Sequence, residues 1–359
     1  VSPGVRVSHP HELAKEKPVP APSTILITGG AGFIGSHTCV ELLDHGYALV
    51  VVDDYSNSSP HVFSRVQKVA DRCLSAVYRL DLRNRSALSD VLDHHSVDAV
   101  VHFAGKKAVG ESMRKPIEYY DTNIGGTTAL LRAMDEHGIH QLVFSSSCSI
   151  YGESDKVPLS EHDPARPTNP YAASKWACEQ ILADVCRLRP EFSVLSLRYF
   201  NPVGAHPSGL LGESPRGGDV NLMPRLAQVA DGERRSVTVY GGDYATRDGT
   251  GVRDYIHVMD VAEAHRVALE HLDAPGMRVF NLGVGSGTSV LELLAAFGEA
   301  CGKEMPYTVE DRRPGDVSEL VADPRVIARE WGWRPTRDLA SMCRDAWRFR
   351  QLNPLGYAD

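Results

Sequence analysis

A glycine-rich turn constrains this chain more than any other feature. Thr28-Gly29-Gly30-Ala31-Gly32-Phe33-Ile34-Gly35 follows a short apolar run and opens a stretch with helical spacing. Gly29, Gly32 and Gly35 stand three apart, a variant of the dinucleotide-binding spacing. The first two let the backbone turn tightly and approach a pyrophosphate at the positive end of a helix, and the third allows close helix–sheet packing. Tight turns alone also select glycine, so the context decides. Here the turn joins the first strand to the first helix, and Asp53 ends the next strand 18 residues after Gly35. A carboxylate there accepts hydrogen bonds from the hydroxyls of an adenosine ribose. No arginine adjoins Asp53 or Asp54 to favour a 2′-phosphate, so the residues favour NAD over NADP.

The rest of the N-terminal half repeats one unit. Residues 25–28, 48–53, 99–103 and 141–145 read as buried strands; near 33–45, 87–94 and 127–137, apolar residues recur with helical spacing. A helix follows over 171–187 and a strand over 193–199. Such repeated βα units predict an α/β fold, a doubly wound parallel sheet of the Rossmann type. Past Asn201 the texture changes. Residues 202–256 are rich in glycine and proline and read as loops around a ligand. A helix near 261–271 and a strand near 279–282 return to the first unit, and 288–359 supply helices of a smaller C-terminal substrate-binding domain. The expected division is a flexible arm at 1–22, a cofactor domain at 23–201 that recurs near 255–284, and a substrate domain at 202–254 and 285–359.

Composition removes several classes. The net charge of −8 argues against nucleic acid as a general partner. No apolar run is long enough to span a membrane. Seven cysteines scattered without a CxxC pair suit a reducing, cytoplasmic setting and suggest neither a disulfide framework nor a metal site.

A second constellation carries chemistry. Ser145-Ser146-Ser147 closes a strand, and Tyr171-Ala172-Ala173-Ser174-Lys175 lies on a helix. At i and i+4, Tyr171 and Lys175 share one helix face, which puts a permanent cation near a phenol. Ionising a free tyrosine near neutrality takes about 4 kcal/mol of electrostatic help. Lys175 and a nicotinamide cation together supply it.

With these pieces the chain resembles the extended short-chain dehydrogenase/reductases, and among them the UDP-galactose 4-epimerases. The resemblance runs from Thr24 to the C-terminus through TGGAGFIGSHT, HFAGKKAVGES, YYDTN, FSSSCSIYG, YAASK, RYFNPVGAHPSG, NLMP, DGTGVRDYIHVMD and RRPGD. It implies that Ser147 binds substrate, that Tyr171 is the catalytic base, and that Lys175 grips the nicotinamide ribose and polarises the tyrosine. It implies NAD contacts at Gly29, Gly32, Phe33, Ile34, Gly35, Asp53, Asn57, Asp81, Leu82, Phe103, Lys107 and Asn123, besides Tyr171 and Lys175. For a UDP-sugar it implies Asn201, Asn221, Arg253, Arg313, Asp316 and Leu320. Arg253 and Arg313 suit a diphosphate physically, because a guanidinium fork pairs with phosphate oxygens; without the resemblance they read equally as surface ion-pair residues. The reaction implied is reversible C4 epimerisation of UDP-galactose and UDP-glucose through a 4-keto sugar, with tightly held NAD taking and returning hydride.

The resemblance further implies a homodimer built on helices near 112–137 and 171–187, with Ile124, Leu130, Trp176 and Ile181 available for core or interface. Leu320 matches a gate beside the sugar's 2-substituent, so slower activity on UDP-N-acetylhexosamines is expected. Nucleotide-sugar dehydratases, similar in fold, carry Asp-Glu after the strand's serine or threonine. This chain has Cys148-Ser149, which disfavours that reaction. Cys148-Ser149 also depart from the commoner Ala-Thr of the epimerases, and Lys106 replaces a usually apolar residue.

Overall fold

Short runs of valine, isoleucine and leucine that can be buried on both faces form parallel strands, and such runs make the middle of a seven-stranded sheet. In the computed structural model, which describes residues 23–154, 156–215, 221–313 and 315–357, its strands are β1 (Thr24–Thr28), β2 (Ala48–Asp53), β3 (Ala76–Arg79), β4 (Ala99–His102), β5 (Gln141–Ser147), β6 (Ser193–Tyr199) and β7 (Gly276–Leu282). The expected arm at residues 1–22 lies outside the described residues. The strand order is β7-β6-β5-β4-β1-β2-β3, parallel throughout. The order reverses between β1 and β4, which opens a crevice beyond their carboxyl ends. Strand β5 runs two residues further than expected, so Ser147 is its last residue.

Alternation along β1 sorts the core into two layers. Ile25 and Ile27 face one side with Val40 and Leu43 of α1 (Phe33–Asp44), while Leu26 faces the other. That other side also gathers Leu88 and Val91 of α2 (Arg85–His94), Leu130 and Met134 of α3 (Gly126–Glu136), and Leu182 of α4 (Pro170–Leu188). Val261 and Ala264 of α5 (Val258–Leu269) complete the first layer. Each fully buried Ile or Leu is worth ~1.5–3 kcal/mol, so the sheet rests on these two layers.

A third apolar cluster lies apart from them. Met223 and Leu226 of helix Leu222–Ala230, Leu293 and Phe297 of helix Val290–Cys301, and Met342 and Cys343 of helix Leu339–Leu352 meet there. The reading of 202–256 as loops is corrected here. It contains that first helix and the strand Val237–Tyr240, which pairs in parallel with Tyr307–Glu310. The glycines and prolines around them hid the helix, and the strand depends on a partner remote in sequence. Among the described residues no helix is long and apolar enough to cross a membrane, and no cluster of His, Cys, Asp or Glu is arranged to hold a metal.

Candidate active site

The glycine turn sits in the crevice. Gly29 has φ +71°, and a Cβ there would lie 2.6 Å from the Ala104 nitrogen, so only glycine lets the turn press against the chain leaving β4. Gly35 was expected to serve helix–sheet packing. The structure shows otherwise: a Cβ at Gly35 would meet Gly29 O at 2.5 Å, so it lets the helix close on its own turn. The glycine against the sheet is Gly30, where a Cβ would stand 2.4 Å from Val51 Cγ1. Helix α1 begins at Phe33 and Ile34 with no side-chain cap, leaving its positive end available to an anion.

Asp53 lies beside this turn and is buried. Its Oδ2 accepts from Ala31 N (2.9 Å), and its Oδ1 accepts from Tyr55 N (2.8 Å) and Ser58 Oγ (2.9 Å). Burial raises its pKa against the pull of these donors. It therefore ties β2 to the glycine turn. Asn57 is exposed in the following loop. Asp81 pairs with Arg83, which also reaches Asp121, while Leu82 is buried in the second core layer. Phe103 packs against His265, with ring centroids 4.7 Å apart.

Asn123 sits on a π-helical turn, Asp121–Gly125, a distortion common at functional sites. Its Oδ1 accepts from Lys106 N (2.8 Å), and its Nδ2 donates to Lys106 O (3.1 Å) and Ser174 Oγ (2.8 Å). Both amide protons are thus spent on clamping the Gly105–Lys106 loop to α4. Lys106 itself pairs with Glu118 and lies over the Tyr119 ring.

Ser147, Tyr171 and Lys175 converge at the carboxyl end of β5. Asn169 caps α4 by accepting from Ala172 N at 2.9 Å, with Pro170 at its first position, and this places Tyr171 in the first turn. The Ser147 hydroxyl stands close enough to the Tyr171 phenol to lower its pKa against burial. Lys175 Nζ donates to Ser145 O (2.8 Å) and lies 5.0 Å from the Phe144 ring centroid. Burial pushes the Tyr171 phenol up to about 12 and the Lys175 ammonium down to about 8. Burial weakens the expected cation, since a lysine stripped of water holds its proton less firmly. Burial is the main opponent of the phenolate, and Ser147 offsets part of it.

Leu320, packed with Cys148, and Arg253 are paired neighbours in a three-stranded sheet made by Thr288–Ser289, Val252–Arg253 and Glu319–Leu320. The Arg253 fork donates to the carbonyls of Val252 (2.8 Å), Val317 (2.8 Å) and Ser318 (3.4 Å). Arg313 donates to Asp316 (3.0 Å) and lies 4.6 Å above the Tyr240 ring. Asn201 Oδ1 is buried with no partner among the described residues. Leu320 is buried against Cys148, Phe200 and Val317.

Several contributors went unnoticed in the sequence. Glu213 accepts on one oxygen from both Lys107 Nζ (3.0 Å) and Asn221 Nδ2 (2.7 Å), joining an expected cofactor residue to an expected substrate residue. Beneath Ser147 the buried pair Glu179–Arg198 (2.6 Å) also engages Ser146, Ser196 and Tyr151. Helical spacing held the clue, since Glu179 lies one turn beyond Lys175 on the same face. Asp254 is fully buried and accepts from Val284 N, Gly285 N and Ala322 N, with burial pushing it up to about 6. Nothing local marks that role.

A parallel sheet with a glycine turn at its switch point and a Ser-Tyr-Lys set at the end of β5 define an NAD-dependent enzyme of the Rossmann type. The chain belongs to the NAD dependent epimerase/dehydratase family, whose pattern matches residues 25–283. It is 51% identical over 334 residues to a UDP-glucose 4-epimerase of Bacillus subtilis, spanning 93% of this chain and 98% of that one. In three dimensions it is similar to the UDP-glucose 4-epimerase of Bifidobacterium longum in complex with NAD+ and UDP, with TM-score 0.91, 46% identity, and 93% and 100% of the two chains covered. It also superposes on the Stenotrophomonas maltophila UDP-glucose-4-epimerase with bound NAD and formylated UDP-arabinopyranose, with TM-score 0.90, 45% identity, and 92% and 99% covered.

Proposed function

We propose that this chain interconverts UDP-galactose and UDP-glucose by reversible C4 epimerisation. The observation that carries the reading is the convergence of Ser147, Tyr171 and Lys175 between the glycine turn and the segments bearing Arg253 and Arg313. Gly29, Gly32, Gly35 and Asp53 fit a dinucleotide: close backbone approach, an uncapped helix end and a buried carboxylate beside it. NAD, when held there, accepts hydride from C4 of the sugar and returns it.

The protein's own part is positioning and proton transfer. Tyr171, as phenolate, takes the proton from the sugar 4-hydroxyl and later restores it. Ser147 hydrogen-bonds that same oxygen, and Lys175 holds the nicotinamide ribose. Arg253, Arg313, Asn221 and Asn201 anchor the nucleotide while the 4-keto sugar turns over, which keeps the intermediate from escaping. Arg253 must release a backbone carbonyl or use its remaining N–H to reach a phosphate. Phe33, Ile34, Asn57, Asp81, Leu82, Phe103, Lys107 and Asn123 belong to the cofactor side. Asn123 and Leu82 act there by shaping the site, given what their side chains already bind.

We assign residues 23–201 and 255–284 to cofactor binding, and 202–254 with 285–359 to the substrate. The apolar cluster that joins helices Leu222–Ala230, Val290–Cys301 and Leu339–Leu352 supports this division, while Ala205, Leu211, Ile327 and Phe349 of the substrate side pack with the first layer of the sheet. Leu320 is read as the sugar gate, with UDP-N-acetylhexosamines turned over more slowly than UDP-hexoses. Assembly is read as a homodimer. Leu130 belongs to the core, but Ile117, 81% exposed, with Met113 and Tyr120 gives the neighbouring helices an apolar face. Static light scattering near the monomer mass at micromolar concentration would contradict it. Seven free cysteines support a reducing, cytoplasmic place of work.

The decisive experiment incubates the purified protein with UDP-glucose, UDP-galactose, UDP-N-acetylglucosamine and UDP-xylose and reads products by NMR. Released dinucleotide is quantified after denaturation. Equilibration of the first pair together with bound NAD(H) is expected; no dinucleotide and no equilibration would defeat the reading.

A further inference from the structure

Glu213 stands where distant segments meet, and its backbone is held on both sides. Tyr357 Oη accepts from Gly212 N (2.9 Å) and donates to Gly212 O (2.8 Å), while Ser214 Oγ accepts from Tyr357 N (3.3 Å). A Cβ at Gly212 would lie 2.3 Å from Phe349 Cγ, so this stretch is pressed against helix Leu339–Leu352. Tyr357 is held in turn by Arg65, whose guanidinium lies 5.0 Å from its ring centroid. The Glu213 side chain is only 8% exposed. It has little freedom to follow its partners, so they must come to it.

One oxygen of that carboxylate takes two donors. Oε1 accepts from Lys107 Nζ at 3.0 Å and from Asn221 Nδ2 at 2.7 Å, which fills both of its lone pairs. Lys107 follows the Gly105–Lys106 loop that Asn123 clamps, so it moves with the cofactor side. Asn221 precedes helix Leu222–Ala230, a position from which an asparagine side chain ordinarily caps the helix. It makes no such cap here. A carboxylate only accepts, so Asn221 must turn its amide nitrogen to Glu213 and its carbonyl away. Glu213 thus fixes the orientation of the Asn221 amide as well as the place of the Lys107 ammonium.

We propose that Glu213 is a positioning residue that couples the two halves of the site: it sets the Asn221 amide for a nucleoside diphosphate, and Lys107 must neutralise it for that anion to bind well. The inference rests on the proposed function, in which Lys107 belongs to the dinucleotide and Asn221 to the nucleotide sugar. Glu213 touches neither ligand in this scheme. Lys107 is half exposed, so the ion pair itself adds little stability, and its effect is on the field at the site. Standing alone, the carboxylate would repel a diphosphate drawn to Asn221; the ammonium at 3.0 Å offsets that charge. A change on the cofactor side is therefore felt as weaker binding on the substrate side.

The test measures UDP binding by calorimetry on the holoenzyme, kept in excess NAD. Wild type is compared with Glu213→Ala, Glu213→Gln, Lys107→Met and the Glu213→Gln, Lys107→Met double variant. Glu213→Ala frees the Asn221 amide and is expected to weaken UDP binding about tenfold. Glu213→Gln keeps an acceptor for that amide and drops the charge, so it should stay within about threefold of the wild type. Lys107→Met should weaken binding about fivefold in the wild-type background, and by less than about twofold beside Glu213→Gln. Wild-type affinity in Glu213→Ala overturns the role of Glu213. So does an equal loss from Lys107→Met in both backgrounds, which is what a general loosening of the fold or a direct contact of Lys107 with UDP would give. No UDP binding by the wild-type holoenzyme overturns the functional reading itself, and this role with it.

Discussion

Asp53 shows how one side chain serves fold and site together. Its carboxylate holds the glycine turn through Ala31 N, and it is the residue we propose for the ribose. Asp53→Ala is expected to lose bound NAD on gel filtration, to admit NADP more readily, and to lower stability by about 1–3 kcal/mol for the unsatisfied donors. A full complement of NAD after filtration would show that Asp53 does not hold the ribose. Leu320 carries a comparable double load, because it is buried against Cys148, next to Ser147. Leu320→Tyr should reduce kcat/KM for UDP-N-acetylglucosamine selectively, by about ten- to hundredfold. Leu320→Ser should raise that activity but destabilise the fold by about 2–4 kcal/mol, as truncating a buried leucine does. Equal ratios of kcat/KM for the two sugar pairs in wild type and both variants would show that Leu320 is no gate.

At the scale of elements, α4 is bound to the sheet by charge as well as by apolar contact. Glu179 of α4 and Arg198 of β6 form a nearly water-free pair whose carboxylate also receives Ser146 and Ser196. Removing one partner strands the other, so Arg198→Met should cost about 3–5 kcal/mol in denaturant unfolding. Combining it with Glu179→Met should recover much of that loss while still impairing turnover, because Ser146 then lacks its anchor beneath Ser147. A double variant no more stable than Arg198→Met would mean that the pair's desolvation is not what matters. The small sheet behind Arg253 is bound differently, through Asp254, whose carboxylate takes three backbone amides from two other segments.

For the whole molecule, buried imidazoles set the response to acid. Burial holds His37 and His102 at about 3 and His265 at about 4. Below about pH 6.5 the unfolded chain takes up protons that these folded side chains refuse, so stability is present above that pH and is lost as pH falls toward 4. Each contributes a slope of about 1.4 kcal/mol per pH unit in that window. Asp254 opposes them below about pH 6, since its raised pKa makes the folded state the better proton acceptor. Asp53, Asp44, Glu161 and Glu263, raised by burial, act in the same sense as Asp254, and His206, lowered by burial, joins the histidines; the three strongly shifted imidazoles prevail, and Tm at pH 5 should be below Tm at pH 7.5. A flat or rising Tm would show that these histidines are not neutral in the fold.

The primary sequence by itself determined the parallel sheet, the glycine turn, Asp53 and the Ser147, Tyr171 and Lys175 set. Each is written in local spacing: apolar runs of strand length, glycines three apart, a tyrosine and lysine one helical turn apart. It could not show that Gly30 rather than Gly35 meets the sheet, or that burial weakens the Lys175 cation. Nor could it show that Glu213 gathers Lys107 and Asn221, or that Ser149 reaches Ser147 in the geometry of the site. Those facts depend on which side chains are stripped of water and on which distant segments meet. Desolvation and nonlocal hydrogen bonding arise only once the chain has closed on itself, and so only the tertiary structure decided them.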